Sequence, residues 1–537
     1  MGNGAGISLL HNGVPRGTAH HSSPEPYPEL PSAVLEDLRV REIIDRVASK
    51  GVRSHTVRRF FSAPLGDREA IEDRNRLFAA VRGDGELRRG LRDLLPRLRE
   101  LSMFSRSSKE IDKPLLQAVW RIGELELFVE VMEGLANALP ADHACRSLAD
   151  LRRYAAEAAG RPEIVELKKE LPEIKRGLKS RRSVTVGINL DSRFRPVEAT
   201  LLGISEKPFR EQSFLAGFLG KLSAEDVTTT TLYHNTESDD IDETVPLAPL
   251  FADLDRLLKS MSRPLFRLVD KYTSVNTGPL AGLADELALI LALCDLLDEM
   301  EALGLPLALP TFGPARKITE LYNLSLALSH GDVGTIVPND VVEEDGELTY
   351  LVTGPNRGGK TTFIQAVGQA QLLAHVGLPV PARQATLPLH PGILTHFPRP
   401  ETEALERGRF GEEMERLSEI SDQITPGCLL ILNETFSSTG RKEALAVSED
   451  VLDALEGAEV TTYFSTHLSG HEPQPHRVNL VAEAEDKADG GHRRTFVISR
   501  SDHAGRSYAE DIARQYGVDR EGLRRRLRKA GITSDAV

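Results

Sequence analysis

The stretch LTYLVTGPNRGGKTTFIQAVGQAQLLAHV, residues 348–376, leaves little freedom in local structure. LTYLV reads as a buried strand, GPNRGGKT as a tight glycine-rich loop and TFIQAVGQAQLLAHV as a helix. Gly354 to Thr361 fits G-x-x-x-x-G-K-[ST], and the preceding strand and following helix are the context that this pattern requires. Glycines let backbone N–H groups close around a phosphate, and the helix N-terminus adds partial positive charge. In that reading Lys360 reaches the β- and γ-phosphates and the Thr361 hydroxyl ligates Mg²⁺. The alternative is a glycine-rich turn that binds nothing.

Three later segments extend the pattern. CLLILNETFSST, EVTTYFSTHLSG and RTFVISR each begin as a β-rich run, and helical segments lie between them. Strands alternating with helices predict an α/β domain with a mostly parallel sheet, over about 341–520. An acidic residue is expected where the first of these strands ends, to hold Mg²⁺, followed by a glutamate that polarises water. Here the pair is Asn433 and Glu434. Asn433 keeps a carbonyl for the metal but lacks the charge, which predicts weaker metal retention rather than lost chemistry. Glu434 is the candidate water-handling group; the alternative is an exposed loop carboxylate. His467 follows the next strand where a γ-phosphate sensor would sit, or it is an ordinary surface histidine.

The rest of the chain is mainly helical. Residues 1–30, rich in Gly, His, Ser and Pro, read as a disordered tail. Residues 31–340 read as a helical core with lever-like helices, in which Leu125, Phe128, Met132 and Leu135 recur at helical spacing. Pro96 falls inside one such run and predicts a kink. A β-rich insertion is expected at about 183–246, where SVTVGINLDSRFRPVEATLLGI alternates, and 521–537 reads as a basic helix and tail. Three dispersed cysteines fit a reducing cytoplasm, and no apolar run reaches the roughly 18 residues of a membrane span. The formal charge of −14 argues weakly against a nucleic-acid partner, although a local basic surface is compatible with it.

IVPNDVVEEDGELTYLVTGPNRGGKTTFIQAVGQAQLLAHVGLPVPA, 336–382, resembles the ATPase domain of the MutS family, which writes its loop GPN-x-GGK-[ST]-T. RFGEEMERLSEI resembles the family's F-M-x-E-M segment, STHLSGHE its A-T-H-x-x-E-L switch and GRSYAEDIARQYGV its SYG-x-x-VA closing segment. TVRRFFSAPLGDREAIEDRNRLFAAV, 56–81, resembles the start of its helical core. The resemblance implies that Gly354, Pro355, Asn356, Arg357, Gly358, Gly359, Lys360, Thr361 and Thr362 bind the phosphates of ATP. It further implies Mg²⁺ at Thr361, Asn433 and Glu434, catalysis by Glu434, His467 and Lys360, and Ile336 against adenine. The family often has an aromatic residue where Ile336 stands; an aliphatic side chain packs there but cannot stack.

Several departures qualify the likeness. The family's Ser-Thr before the signature phenylalanine is Gly408-Arg409 here, and Arg409 is either a phosphate ligand across a dimer or a solvated charge. The family's G-R-G-T after its acidic pair is replaced by Phe436-Ser437-Ser438-Thr439. No room is seen before residue 35 for the mismatch-reading and connector domains. Phe128-Val129-Glu130 matches the Phe-x-Glu wedge motif but lies in a helical pattern, where core packing accounts for it. Leu468-Ser469-Gly470 lies after the switch histidine, so it is not a transporter signature.

What the resemblance implies is an ATP-gated clamp, a homodimer with composite ATP sites that grips mismatched, branched or other duplex DNA, with slow hydrolysis and no membrane. The local support is KRGLKSRR, in which Lys175, Arg176, Lys179, Arg181 and Arg182 suit phosphate contacts or form a solvated helix end. Two alternatives stand beside it: a switch of the same fold acting on a protein partner without DNA, and a pseudo-ATPase that binds nucleotide for structure.

Overall fold

The computed structural model describes residues 8–10, 27–107, 114–140, 144–179, 183–190, 192, 196–205, 266–280, 282–330, 333–399, 408–468, 470–486, 492–503 and 517–529. The chain divides into two compact units, one built on residues 93–139 and 151–284, the other on 8–92, 140–150 and 285–537.

The first unit is helical. In the helix Pro114–Ala138, the apolar residues at three- and four-residue spacing, Leu125, Phe128, Met132 and Leu135, are all buried, as are Ile164, Leu167 and Leu171 of the helix Pro162–Lys179. Phe128 and Val129 are therefore core residues. One carboxylate is buried with them: Glu124 is neutralised by Arg121 at 2.7 Å and accepts the Thr277 hydroxyl. Strands β1 (Ser183–Leu190) and β2 (Pro196–Ser205) pair antiparallel, Ser183 opposite Ser205, so the strand signal before residue 205 is correct. The remainder of the expected insertion, to 246, lies outside the described residues.

The second unit carries a six-stranded sheet. Its strands are β6 (Thr349–Thr353), β8 (Ile393–His396), β9 (Leu429–Asn433), β10 (Thr461–Ser465), β11 (Arg477–Asp486) and β12 (His492–Ser501), in the order β12-β11-β6-β10-β9-β8. All neighbours are parallel except β12, which closes one edge antiparallel to β11. Every residue of β6 and β9 is buried, as expected where helices cover both faces. Leu430, Leu432 and Phe464 share one core with Phe436 and with Leu452 of the helix Arg441–Gly457, against which Met414 and Leu417 of the helix Gly408–Ser421 pack. The helix Lys360–His375 takes the other face. There Gly368 permits close approach: a Cβ would lie 2.4 Å from a Leu38 methyl and 2.7 Å from an Ile431 methyl.

Three expectations need correcting. Ser8–Leu10 do not belong to a disordered tail: Leu9 and Leu10 are buried, and Glu286 accepts the Leu9 N–H at 2.7 Å and the Ser8 hydroxyl at 2.8 Å. The span to residue 340 is not all helical. β3 (Thr311–Phe312), β4 (Lys317–Leu321), β5 (Asn339–Val342) and β7 (Gln384–Leu387) form a second sheet in the order β3-β7-β4-β5. Nor does compactness divide the chain at 340. Asp37 O and Leu38 O accept from Gln365 and Gln369 of the helix Lys360–His375 at 2.8 and 2.7 Å, so the first helices belong with the large sheet. Pro96 lies within a single assigned helix, Gly85–Ser107. Among the described residues no helix is long and apolar enough to cross a membrane. All three cysteines are free and buried.

Candidate functional site

Parallel register brings the three sequence elements together. Ser465 of β10 pairs with Val352 of β6 on one side and with Asn433 of β9 on the other, so the loops leaving these strands emerge side by side. Gly354 turns away from β6 at φ 120°, pressed on β11; a Cβ there would lie 2.9 Å from the Ala482 Cβ and carbonyl oxygen. Only glycine satisfies both the conformation and the space. Pro355 O accepts the Gly358 N–H at 3.1 Å, and the helix begins at Lys360.

Lys360 is buried and donates to the carbonyls of Gly354 (3.0 Å) and Pro355 (3.1 Å). Burial lowers its pKa, with the Glu434 charge acting in the opposite sense. The Thr361 hydroxyl donates to Asn433 Oδ1 at 3.0 Å. Glu434 Oε1 lies 3.0 Å from His467 Nε2, both side chains about one-third exposed (38% and 35%). The hydrogen bond from His467 holds the Glu434 carboxyl below the usual carboxylate range, against partial burial.

The loop that presents Glu434 is unusual. Glu434 and Phe436 have φ of 49° and 70°, a region that side-chain-bearing residues seldom adopt. Glu434 N–H donates to Ser465 O at 2.7 Å, and Phe436 fills the core beneath. Buried Glu413, from the helix Gly408–Ser421, accepts the Phe436 N–H at 2.7 Å and the Ser438 hydroxyl. Thr435 Oγ1 bonds His396 Nδ1 at 2.9 Å. Sequence reasoning missed Glu413 and His396; the departure at Phe436-Ser437-Ser438-Thr439 was the available signal that this loop is held differently.

A cavity of about 610 Å³ runs from Asn356–Thr362 and Glu434 to Tyr322, Asn339 and Phe496. A second, of about 320 Å³, opens on the other side of Glu434 and is lined by Gly354, Thr466 and His467. Pro355 lines neither, though its carbonyl anchors Lys360. Ile336 is half-buried and absent from the wall of the larger cavity, where its neighbours Thr335 and Val337 stand instead; of the aromatic residues in that wall, Tyr322 and Phe363 are buried and Phe496 is exposed.

Other expected site residues lie elsewhere. Lys175, Arg176 and Lys179 fall in the last turns of the helix Pro162–Lys179, in the helical unit, with side chains outside the described set. Arg181, Arg182 and most of the closing segment 505–518 lie outside the described residues. Arg409 sits in the first turn of its helix, its side chain likewise outside them. Among the described residues, no group of three or more His, Cys, Asp or Glu side chains could hold a metal by itself.

Residues 350–522, from β6 to the helix Arg520–Lys529 and including the whole cleft loop, Asn433–Glu434 and His467, match the family model for MutS domain V. Residues 350–522 are a MutS domain V. The chain is 29% identical over 276 residues to the DNA mismatch repair protein MutS of Thermotoga neapolitana, covering 50% of the chain and 34% of the relative. It is 34% identical over 191 residues to MutS of Thermus aquaticus (35% of the chain, 23% of the relative). It is 30% identical over 219 residues to the DNA mismatch repair protein Msh3 of Mus musculus (37% and 20%). These matches span at most 34% of the relatives' length.

Proposed function

We propose that this chain binds ATP in the larger cavity, hydrolyses it slowly with Mg²⁺, and uses the cycle to gate a dimeric clamp on mismatched or otherwise unusual duplex DNA. The observation that carries the reading is that Lys360, Thr361 and Glu434 line the larger cavity, with Asn433 hydrogen-bonded to Thr361 and His467 to Glu434. Backbone N–H groups of the loop from Asn356, with the first turn of the helix, cradle the phosphates. Lys360 exchanges the carbonyls of Gly354 and Pro355 for phosphate oxygens. The Thr361 hydroxyl and Asn433 Oδ1 are oxygen donors of the kind Mg²⁺ prefers, and with Glu434 they would hold it. Held by these residues, a Mg²⁺ ion would supply positive charge against the phosphates.

Glu434 orients a water and takes its proton as the water oxygen bonds to γ-phosphorus. The bond from γ-phosphorus to the bridging oxygen breaks, and ADP and phosphate leave. His467, which holds Glu434 in the free site, turns to the γ-phosphate when ATP is bound. Differential affinity for ATP and ADP shifts the protein between its two states. The DNA part of the reading draws on the likeness to DNA mismatch repair proteins and on Lys175, Arg176, Lys179, Arg181 and Arg182.

Turnover measured with and without a panel of duplex, mismatched and branched DNA tests the whole. Glu434→Gln should lower kcat by roughly 10²–10⁴-fold while ATP affinity holds. Unchanged turnover would mean that hydrolysis does not use this site. The charge of −14 favours one second reading, a switch on a protein partner; there, reversing the 175–182 cluster leaves function intact.

A further inference from the structure

The edge strand β12 carries a built irregularity beside the cleft. Ala482 of β11 pairs with Ile498 and Ala484 with Arg494, so Glu483 alone faces Thr495, Phe496 and Val497. The bulge is held from within: Thr495 Oγ1 donates to Glu483 O at 3.0 Å, and Ser499 Oγ to Glu483 Oε1 at 2.6 Å. It is also held from the second sheet. Asn339 Nδ2 donates to Phe496 O at 3.1 Å, and Asn339 Oδ1 accepts the Ile498 N–H at 2.6 Å. One amide side chain thus replaces the ladder bonds that the bulge removes.

What this apparatus holds is Phe496, at φ 62° and 45% exposed. A phenylalanine in that conformation is costly. Bulges beside active sites re-aim side chains. Here the ring is aimed at the larger cavity and lies beside Gly359, where a Cβ would sit 3.5 Å from Phe496 Cδ1.

The geometry points to Phe496 as the stacking platform for the base of the nucleotide, with Asn339 as its positioning residue. The role expected of an aromatic at 336 is supplied from β12 instead. The phosphate-binding loop and the ring line the same cavity, so one ligand with an anionic end and a planar aromatic end meets both. The inference rests on the reading of the cleft as an ATP site.

The test compares ATP with inorganic tripolyphosphate, which has no base, by titration calorimetry on the full chain. Phe496→Ala should weaken ATP on the order of 5- to 100-fold and leave tripolyphosphate unchanged. Phe496→Leu, which keeps apolar bulk without a π-face, should lose most of the same affinity, and Phe496→Trp should retain it. Asn339→Ala should shift ATP alone, in the same direction as Phe496→Ala. Equal effects on both ligands, no effect on ATP, or a loss of self-association with ATP affinity intact would overturn the platform while leaving the ATP site standing. If the unaltered protein binds neither ligand, the ATP reading itself fails, and the platform with it.

Discussion

Asn433 sets the character of the cleft. Its Oδ1 accepts from Thr361 much as a carboxylate would, so the geometry survives while a charge is missing. A carboxylate at about 5 Å from a divalent ion, at an effective dielectric near 20, contributes several kcal/mol before desolvation. Asn433→Asp should therefore lower the Mg²⁺ concentration needed for half-maximal ATP binding by about ten-fold or more. A Mg²⁺ titration at fixed ATP reads this directly, and an unchanged midpoint would place the metal elsewhere. Glu413 gives a second prediction. Glu413→Ala strands the buried Phe436 N–H, costing about 1–3 kcal/mol, and leaves the exposed Ser438 hydroxyl to water. The denaturant midpoint should fall, and turnover should fall more than ATP affinity, because the loop that aims Glu434 loosens. Asn433, Glu434 and His467 were readable in sequence because each lies at or just past the end of a β-rich run, Asn433 closing β9, Glu434 following it and His467 two residues beyond β10. Glu413 and Phe496 were not: one acts across 23 positions on a backbone N–H, the other through a bulge whose partner lies 157 positions away.

The joint between the two sheets is a buried polar network, and its chemistry fixes a pH response. Arg316, fully buried, pairs with Glu343 and donates to Gln371 Oε1 at 2.9 Å; Tyr463 OH donates to Glu343 at 2.8 Å. Arg316 Nη2 also lies 3.1 Å from His390 Nε2, and since a guanidinium only donates, that nitrogen accepts. His390 is then neutral, with its Nδ1–H on Gly427 O at 2.7 Å. Burial, then the Arg316 charge, push its pKa down to about 3. A folded pKa below the unfolded value means that the unfolded chain binds the proton first. This contribution is therefore whole above about pH 6.5 and is lost towards pH 3, at about 1.4 kcal/mol per pH unit. His390→Gln should flatten the fall in stability over that window by one proton's slope, measured by urea unfolding at stepped pH. Arg316→Met leaves Glu343 buried and unpaired and should cost about 3–5 kcal/mol, part of which Glu343→Gln in the same chain recovers. The large sheet was foreseeable in part: β6, β9, β10 and β12 coincide with β-rich runs, whereas β8 is only four residues long and β11 is interrupted by polar residues. The small one was not, because β3, β4, β5 and β7 are two to five residues long and alternate weakly.

The division into units was hidden for a related reason. Helices before residue 92 and those from 114 to 179 show the same apolar periodicity, and periodicity says that a face is buried but not against what. Gln365 and Gln369, polar residues in the buried middle of their helix, were the clue: they satisfy Asp37 O and Leu38 O at the break between the first two helices. The charge balance poses the remaining question, since a chain of −14 must concentrate positive potential to hold a polyanion. Counterion release makes the answer quantitative. Each phosphate contact to duplex DNA adds about 0.9 to the magnitude of the slope of log K against log salt. If Lys175, Arg176, Lys179, Arg181 and Arg182 each hold a phosphate, replacing all five by glutamine should reduce that magnitude by roughly 4–5. Fluorescence anisotropy across a salt series, with ATP and with ADP, measures it, and ATP affinity in the same variant serves as the control for folding. A slope that does not move would take DNA away from this cluster and favour the protein-partner reading; a slope that changes between ATP and ADP would tie the grip on DNA to the Glu434–His467 site.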